Sequence, residues 1–241
     1  MIGLSRGGLV AAAVVGIATI WAGHWQGALV LFAFFIPSTL LSRVGRERKR
    51  TLVDIGKQGA RDAMQVLANG GVATAAILLS LRFGAPMLAA FAGAYAAASA
   101  DTWATEIGTL ARGAPRSILT LRPLEPGLSG GVTWQGSAAQ IAGAALVAYV
   151  AWQLALAPFL AVAIGGVAGS LLDSLLGATL QSLRYCPSCA RECETNPHHC
   201  GTPTIPRRGA AWLDNDVVNL AATLCGGVVS AALVASGALA S

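Results

Sequence analysis

The chain has 241 residues, 55% of them hydrophobic and only 11% charged, with a mean hydropathy of +0.63. A soluble domain carries about 25% charged residues, so the composition excludes an ordinary soluble protein and implies a polytopic membrane protein forming one domain, 1–241. The sequence pI of about 9.3 follows from positive charge gathered on one side of a membrane and does not call for a nucleic-acid partner.

Taken in chain order, apolar segments fall at about 7–22, 25–42, 62–82, 85–108, 132–156, 158–182 and 216–239, each near the length that crosses a bilayer. This pattern predicts an all-α bundle of about seven transmembrane spans. Residues 7–22 imitate a signal peptide, but a second apolar segment follows at once, so they count as the first span. With the N-terminus inside, only Arg82 of the 16 basic residues falls on the outer side. That asymmetry predicts a cell-membrane protein with its N-terminus in the cytoplasm and its C-terminus outside. Ala and Gly supply much of the apolarity, and aromatics are only 6%. Small residues let membrane helices approach closely.

The outer connections are short, around His24, Gly84 and Pro158. The inner ones are long. Residues 43–61 are basic and suit an interfacial anchor on anionic lipid. Residues 109–131 are basic and rich in Pro and Gly. Residues 183–215 hold four of the five cysteines; Cys225, inside the last span, reads as packing. Complexity is confined to the cytoplasmic side, so chemistry is expected there.

The unusual polar residues of the spans point to the same side. Asp62, Gln65 and Asn69 share one face at the start of the third span. Asp101 and Glu106 come late in the fourth. They are five residues apart, about 140° around a helix, so both reach one site only if the helix opens there. Gly169, Asp173, Gly177 and Gln181 form a stripe on the sixth span. Asp214, Asp216 and Asn219 open the seventh. A carboxylate in hydrocarbon costs roughly 2.5–3.5 kcal/mol, so Asp101 and Asp173 mark a site rather than a filler. The bland alternative is a buried structural hydrogen bond or an Asp–Arg pair.

Such an acidic, amide-rich pocket with a basic rim suits a magnesium–phosphate substrate, because magnesium takes a few carboxylates plus phosphate oxygens and water. Lys57, Arg61, Arg112, Arg116 and Arg122 are the rim candidates for phosphate. The loop through Gly127, Ser129, Gly130 and Gly131 precedes a helix, which suits backbone N–H donation to an anion; it also suits a plain turn. In the Cys/His-rich loop of residues 183–215, the candidate zinc ligands are Cys186, Cys189, Cys193, His199 and Cys200, four of which complete a tetrahedral site. A structural clip is the favoured role, since disulfides are disfavoured in a cytoplasmic loop.

Six segments together resemble the phytyl-phosphate kinase family, integral membrane proteins of the chloroplast tocopherol pathway with bacterial and archaeal relatives, formerly grouped as a domain of unknown function. They are Gln65-Val-Leu-Ala-Asn69-Gly-Gly71, Asp101-Thr-Trp-Ala-Thr-Glu106-Ile-Gly108, Gly127-Leu-Ser-Gly-Gly131-Val, the stripe from Gly169 through Asp173 and Gly177 to Gln181, His199-Cys-Gly201, and Trp212-Leu-Asp-Asn-Asp216-Val-Val-Asn219. The resemblance implies an enzyme that phosphorylates a prenyl monophosphate to the diphosphate with a nucleoside triphosphate such as CTP. On that reading Asp101, Asp173 and Asp216 organise magnesium or phosphate, with Glu106 a fourth acid. Asn69 and Asn219 orient them or the substrate, and Lys57, Arg61, Arg122, Gly130 and Gly131 hold phosphates. The partners are then a prenyl lipid, a nucleotide and the membrane, with a homo-oligomer allowed. The rival class is a transporter or flippase for cations, protons or lipid phosphate, to which intramembrane acids are equally suited.

Overall fold

The computed structural model describes residues 4–45 and 60–238. Its elements run α1 (Arg6–Leu41), α2 (Ala63–Phe83), α3 (Ala85–Leu110), β1 (Arg116–Ser117), β2 (Gly131–Val132), α4 (Trp134–Gln153), α5 (Phe159–Thr179), β3 (Leu183–Cys186), β4 (Arg191–Cys193), β5 (Ile205–Arg208) and α6 (Asn215–Ala235).

The bundle is organised around α3. Every residue from Ala89 to Ala100 is buried, and α3 packs on each of the other five helices. A helix apolar all round belongs in the middle of a bundle. Most of these side chains are Ala, so neighbours come near. A Cβ added at Gly226 of α6 would stand 2.7 Å from both Ala97 Cβ and the Gly93 carbonyl oxygen. This is small-residue contact of the kind that holds membrane helices. Phe91 and Tyr95 fill the wider gap toward α1, where Phe34 stacks on Tyr95 at 5.5 Å between ring centroids.

Helix α1 is broken at His24, whose φ of 51° and ψ of −150° are not helical. The chain reverses there, so a Cβ on Gly27 would lie 3.0 Å from the Thr19 carbonyl oxygen. Residues 6–23 run beside α2, with Gly8 at Arg61 and Gly23 at Ile77. Residues 25–41 return along α3, bringing Ser42 to Glu106. The two segments expected at 7–22 and 25–42 are therefore separate helical stretches. One end of the bundle carries the tight reversals at His24, Gly84 and residues 154–158. The opposite end carries the long connections.

Among the described residues, four helices are long and apolar enough to cross a membrane: Arg6–Leu41, Ala63–Phe83, Phe159–Thr179 and Asn215–Ala235. The central α3 and its neighbour α4 are not among them. The outer faces expose Ile17, Phe32, Leu79, Leu160 and Leu224. Exposed Trp21, Trp25 and Trp152 lie toward the reversal end, and exposed Trp134 and Trp212 toward the loop end. Indole rings at both ends of an apolar body match the two interfaces of a bilayer.

A purely helical reading misses two small sheets. β1 pairs antiparallel with β2, and β3 sits between β4 and β5 in a three-stranded antiparallel ribbon. Strands of two to four residues are too short for a period-two pattern to show in the sequence.

Candidate functional site

The acids stand beside a close packing of three helices. A Cβ on Gly169 of α5 would lie 2.6 Å from Ala97 Cβ of α3 and 2.5 Å from the Ala222 carbonyl oxygen of α6. One turn nearer the loop end, α5 presents Asp173 and α3 presents Asp101. Their carboxyl groups are neighbours. Asp173 Oδ2 is enclosed with no other hydrogen-bond partner. Two like charges so placed call for a cation or a shared proton.

A third carboxylate lies near the pair, close enough for its charge to act on Asp173. Glu194 follows β4 and folds back against the bundle. Its Oε1 accepts the Ser129 N–H at 3.0 Å, and its Oε2 accepts from Gln181 Nε2 at 2.9 Å. Its charge adds to that felt by Asp173. Burial pushes the Glu194 carboxyl above its ordinary range, while Ser129 and the nearby Arg208 pull it back. Arg208 also donates from Nη2 to the Gly177 carbonyl at 2.8 Å. Gln181 is 2% exposed, and its Oε1 has no partner. A cleft of about 250 Å³ opens beside this group, lined by Ser117, Leu128, Ser129, Ala178, Glu192 and Arg208.

The other residues singled out in the sequence are distributed as follows. Glu106 is not brought to the Asp101–Asp173 pair. Helix α3 runs on to Leu110 without opening, and Glu106 Oε1 accepts from Ser42 Oγ at 2.6 Å. Asp62 and Gln65 form a capping box at the start of α2, so Gln65 Oε1 is committed to the backbone. Asn69 Nδ2 donates to the Gln65 carbonyl at 3.0 Å. Its neighbour Ala68 receives Thr223 Oγ1 at 3.0 Å, one turn along α6 from Asn219, so both amides lie at one level. Asp216 is buried in the first turn of α6, where its N–H bonds to the capping Asp214. Arg61 meets the start of α1 through its carbonyl. Arg112, Arg116 and Arg122 are exposed. Lys57 lies outside the described residues.

The glycine loop packs directly on α5. Gly130, at φ 83°, leaves no room for a side chain, because a Cβ would meet Ala178 N at 2.6 Å. Gly131 pairs with Ser117 in the short sheet. The anion that this loop binds within the fold is Glu194, through Ser129.

In the ribbon, Cys186, Cys189, His198 and Cys200 place one ligand atom each within 4.8 Å of one another. Cys186 and Cys200 Sγ are 3.6 Å apart, and His198 Nδ1 is 3.3 Å from Cys200 Sγ. Tetrahedral thiolates around zinc sit roughly 3.8 Å apart, given bonds of about 2.3 Å. The group thus fits a divalent metal such as zinc. Three of the five candidates, Cys186, Cys189 and Cys200, belong to this group, and His198 rather than His199 or Cys193 is its fourth member. His199 Nδ1 instead bonds His198 Nε2 at 3.1 Å, the orienting role of a partner behind a ligand. Cys193 Sγ points to the Thr195 carbonyl at 3.8 Å. Hydrogen bonds with Thr202 and His198 hold the Cys200 thiol down to about 5, and Cys200 in turn pushes Cys189 up to about 11.

The sequence reading missed His198, Glu194 and Arg208. His198 had a signal in the spacing: Cys-x-x-Cys and His-x-Cys each place two ligands on one tight turn. Glu194 and Arg208 had none, as ordinary charges in a polar loop.

The family model described as "Integral membrane protein DUF92" matches residues 2–227. Protein PGR of Arabidopsis thaliana is 32% identical over 234 residues, which cover 84% of this chain and 79% of that protein. An uncharacterized membrane protein of Methanocaldococcus jannaschii is 29% identical over 94% of this chain and 84% of its own. One of Synechocystis is 25% identical over 70% of this chain and 69% of its own. No solved structure matches the chain.

Proposed function

The chain belongs to the DUF92 family of integral membrane proteins, and on that footing we propose that it is a phosphotransferase embedded in the cell membrane. It converts a prenyl monophosphate to the diphosphate with a nucleoside triphosphate, CTP by the resemblance, and Mg²⁺. The observation that carries this reading is the adjacent Asp101 and Asp173 pair at the loop end of an apolar bundle, with one carboxylate oxygen enclosed and otherwise unpartnered. These oxygens suit Mg²⁺, which takes one or two carboxylates and leaves its remaining positions to water and phosphate. Asp101 and Asp173 would hold it, and it would neutralise charge on the phosphate oxygens.

The chain's own residues do the rest. The apolar helix faces keep the prenyl tail in the bilayer. Arg61, Arg122 and Lys57 meet phosphates from the loop end, and Arg208 joins them. Asp216, Asn69 and Asn219 orient groups from α2 and α6. Gly130 and Gly131 shape the loop that walls the cleft. A phosphate monoester is already a nucleophile, so alignment and charge neutralisation suffice. The metal of the ribbon, held by Cys186, Cys189, His198 and Cys200, is zinc in a structural role.

Seven spans with the N-terminus inside place the ribbon in the cytoplasm, where the nucleotide is. Impermeant thiol reagents should label the ribbon cysteines of metal-stripped protein from the cytoplasmic face only, and a Ser241→Cys variant from outside only. Both on one side would contradict this topology. The transport reading has one point in its favour: Ser99 Oγ, Trp103 Nε1 and Ser170 Oγ are enclosed without partners near the acids. Purified protein with Mg²⁺, CTP or ATP and a panel of prenyl monophosphates separates the two readings. Diphosphate formation is expected; cation or proton flux into liposomes without phosphate transfer would reject the kinase.

A further inference from the structure

The chain that leaves β1 closes on itself at once. Ser117 N–H donates to the Arg122 carbonyl at 2.9 Å, and Leu121 N–H donates to the Ser117 carbonyl at 2.9 Å. Ser117 Oγ accepts the Leu119 and Thr120 N–H groups at 3.3 and 3.4 Å. Arg116 reaches across, with Nη1 on the Leu121 carbonyl at 2.9 Å. Ile118 N–H ties the turn to the Gly130 carbonyl at 3.0 Å. Residues 116–122 are therefore a braced turn.

What the brace holds out is costly in water. Leu119 is 51% exposed and Leu121 63%. Leu121 also sits at φ 56°, a left-handed conformation that Gly or Asn adopts readily and a leucine does not. Gly or Asn at this position would ease the backbone and remove the exposed apolar surface together. The sequence keeps leucine, and a pair of apolar tips on a rigid turn suits an apolar medium outside the protein.

The base of the turn stands where such a medium begins. Gly130 packs it against Ala178 in the last turn of α5. On the other side Arg116 pairs with Val132, two residues ahead of α4. Trp134 opens α4 fully exposed, and an exposed indole at a helix end marks the headgroup layer of a bilayer. That layer is about 5–7 Å deep on each side, about the reach of two residues of extended chain. Basic groups flank the apolar tips: Arg112, Arg116 and Arg122 are all exposed, and no acidic residue falls between Glu106 and Glu125. The bond to Leu121 fixes the Arg116 guanidinium beside the tip while the residue stays exposed.

We infer that the turn of residues 116–122 is a foot seated in the bilayer surface: Leu119 and Leu121 enter the boundary between headgroups and acyl chains, and Arg116 binds the phosphate of an anionic lipid. Apolar side chains beside basic ones are the combination that holds a segment at an anionic interface, and a guanidinium suits a phosphate. The inference is independent of the phosphotransferase reading. It bears on the cleft because Ser117, around which the turn is braced, also lines it. Seating the turn in lipid sets the cleft beside the headgroup layer.

The test uses full-length protein in lipid nanodiscs of phosphatidylcholine, alone or mixed with phosphatidylglycerol. Photoreactive benzoylphenylalanine replaces Leu119 or Leu121, and mass spectrometry reads what each captures. The same probe at Leu79, on the outer face of α2, is the lipid reference. At Ser188, exposed in the turn joining β3 and β4, it is the water reference. Positions 119 and 121 should give phospholipid adducts near the level of Leu79 and several-fold above that of Ser188. In mixed discs, phosphatidylglycerol should be enriched at position 121 over its share of the lipid. Arg116→Gln should return the ratio to that share. Arg116→Lys keeps the charge while losing the same brace, and should retain the enrichment. Adducts at 119 and 121 no more frequent than at Ser188, phosphatidylglycerol captured only in proportion, or enrichment that survives Arg116→Gln would each overturn the inference. So would capture of a second protein chain in place of lipid.

Discussion

Around α3, cohesion comes from small apolar side chains in contact, as where Gly226 meets Ala97 and Gly93. In the ribbon of residues 183–208 it comes from polar bonds and a Cys/His set, with Arg184, Thr204 and Asn196 knotted together and three thiols facing one imidazole. At Gly226 the bundle has no room for a methyl group, because a Cβ there would lie 2.7 Å from Ala97 Cβ. The ribbon instead gathers Cys186, Cys189, His198 and Cys200 into a set that could hold a metal. The candidate site lies where the two meet, with Asp101 and Asp173 from the bundle and Glu194 of the loop after β4 near them.

The largest effect that sharpens this contrast falls on the bundle. Asp101→Asn and Asp173→Asn keep shape while removing charge. Each should lower phosphotransfer by about a hundredfold or more, the scale of a lost preorganised electrostatic group. The melting temperature should not fall, because an expensive carboxylate is removed from the bundle. Near-full activity in both variants would separate the acids from the chemistry.

Next comes a direct comparison of the two kinds of cohesion. Gly226→Leu forces a side chain into the α3–α6 contact and should destabilise the whole bundle by about 1–3 kcal/mol or more, seen as a lower melting temperature. Cys189→Ser should release the ribbon metal and expose ribbon amides to hydrogen exchange while those of α3 stay protected. Equal loss of protection in both regions would show that the two are one cooperative unit.

How legible these regions were follows from the same physics. Apolar segments and Gly/Ala content disclosed the bundle, including the break at His24, because lipid imposes length and polarity on a helix. The six motif segments pointed to an integral membrane family formerly of unknown function, and the family match over residues 2–227 agrees. Asp101 and Asp173 stood out because acids are rare in such helices. The ribbon showed its ligand types but not its ligand set. Choosing His198 over His199 or Cys193 depends on which side of a tight turn each faces, and short strands leave no periodic trace of that. Glu194 was hidden because a glutamate in a polar loop is unremarked until folding buries it. Glu106 was expected to join Asp101 only if the helix opened; the helix runs on unbroken, and Glu106 bonds Ser42.

A smaller effect tests Glu194 through pH. The native carboxyl of Glu194 is pushed above its ordinary value of 4.5 by burial. The folded state therefore binds this proton more tightly than the unfolded state. Its contribution is full below the ordinary glutamate range and is lost as pH rises through the elevated native value. Ribbon protection against hydrogen exchange, followed upward from about pH 4, should decline for this reason, and Glu194→Gln should flatten the decline. An unchanged slope in the variant would assign the titration elsewhere. The smallest effect belongs to Arg82→Gln at the reversal end, where the guanidinium rests 5.9 Å over the Phe83 ring. Activity should be unchanged and stability should move by no more than about 0.5 kcal/mol.

The most direct test of the central claim is transfer of the labelled γ-phosphate of CTP to a prenyl monophosphate while Mg²⁺ is titrated, in wild type and in the Asp101→Asn, Asp173→Asn double variant. The account predicts labelled prenyl diphosphate formed with saturable dependence on Mg²⁺ in wild type, and none above background in the double variant. Transfer that needs no divalent cation, or that survives loss of both carboxylates, would contradict it.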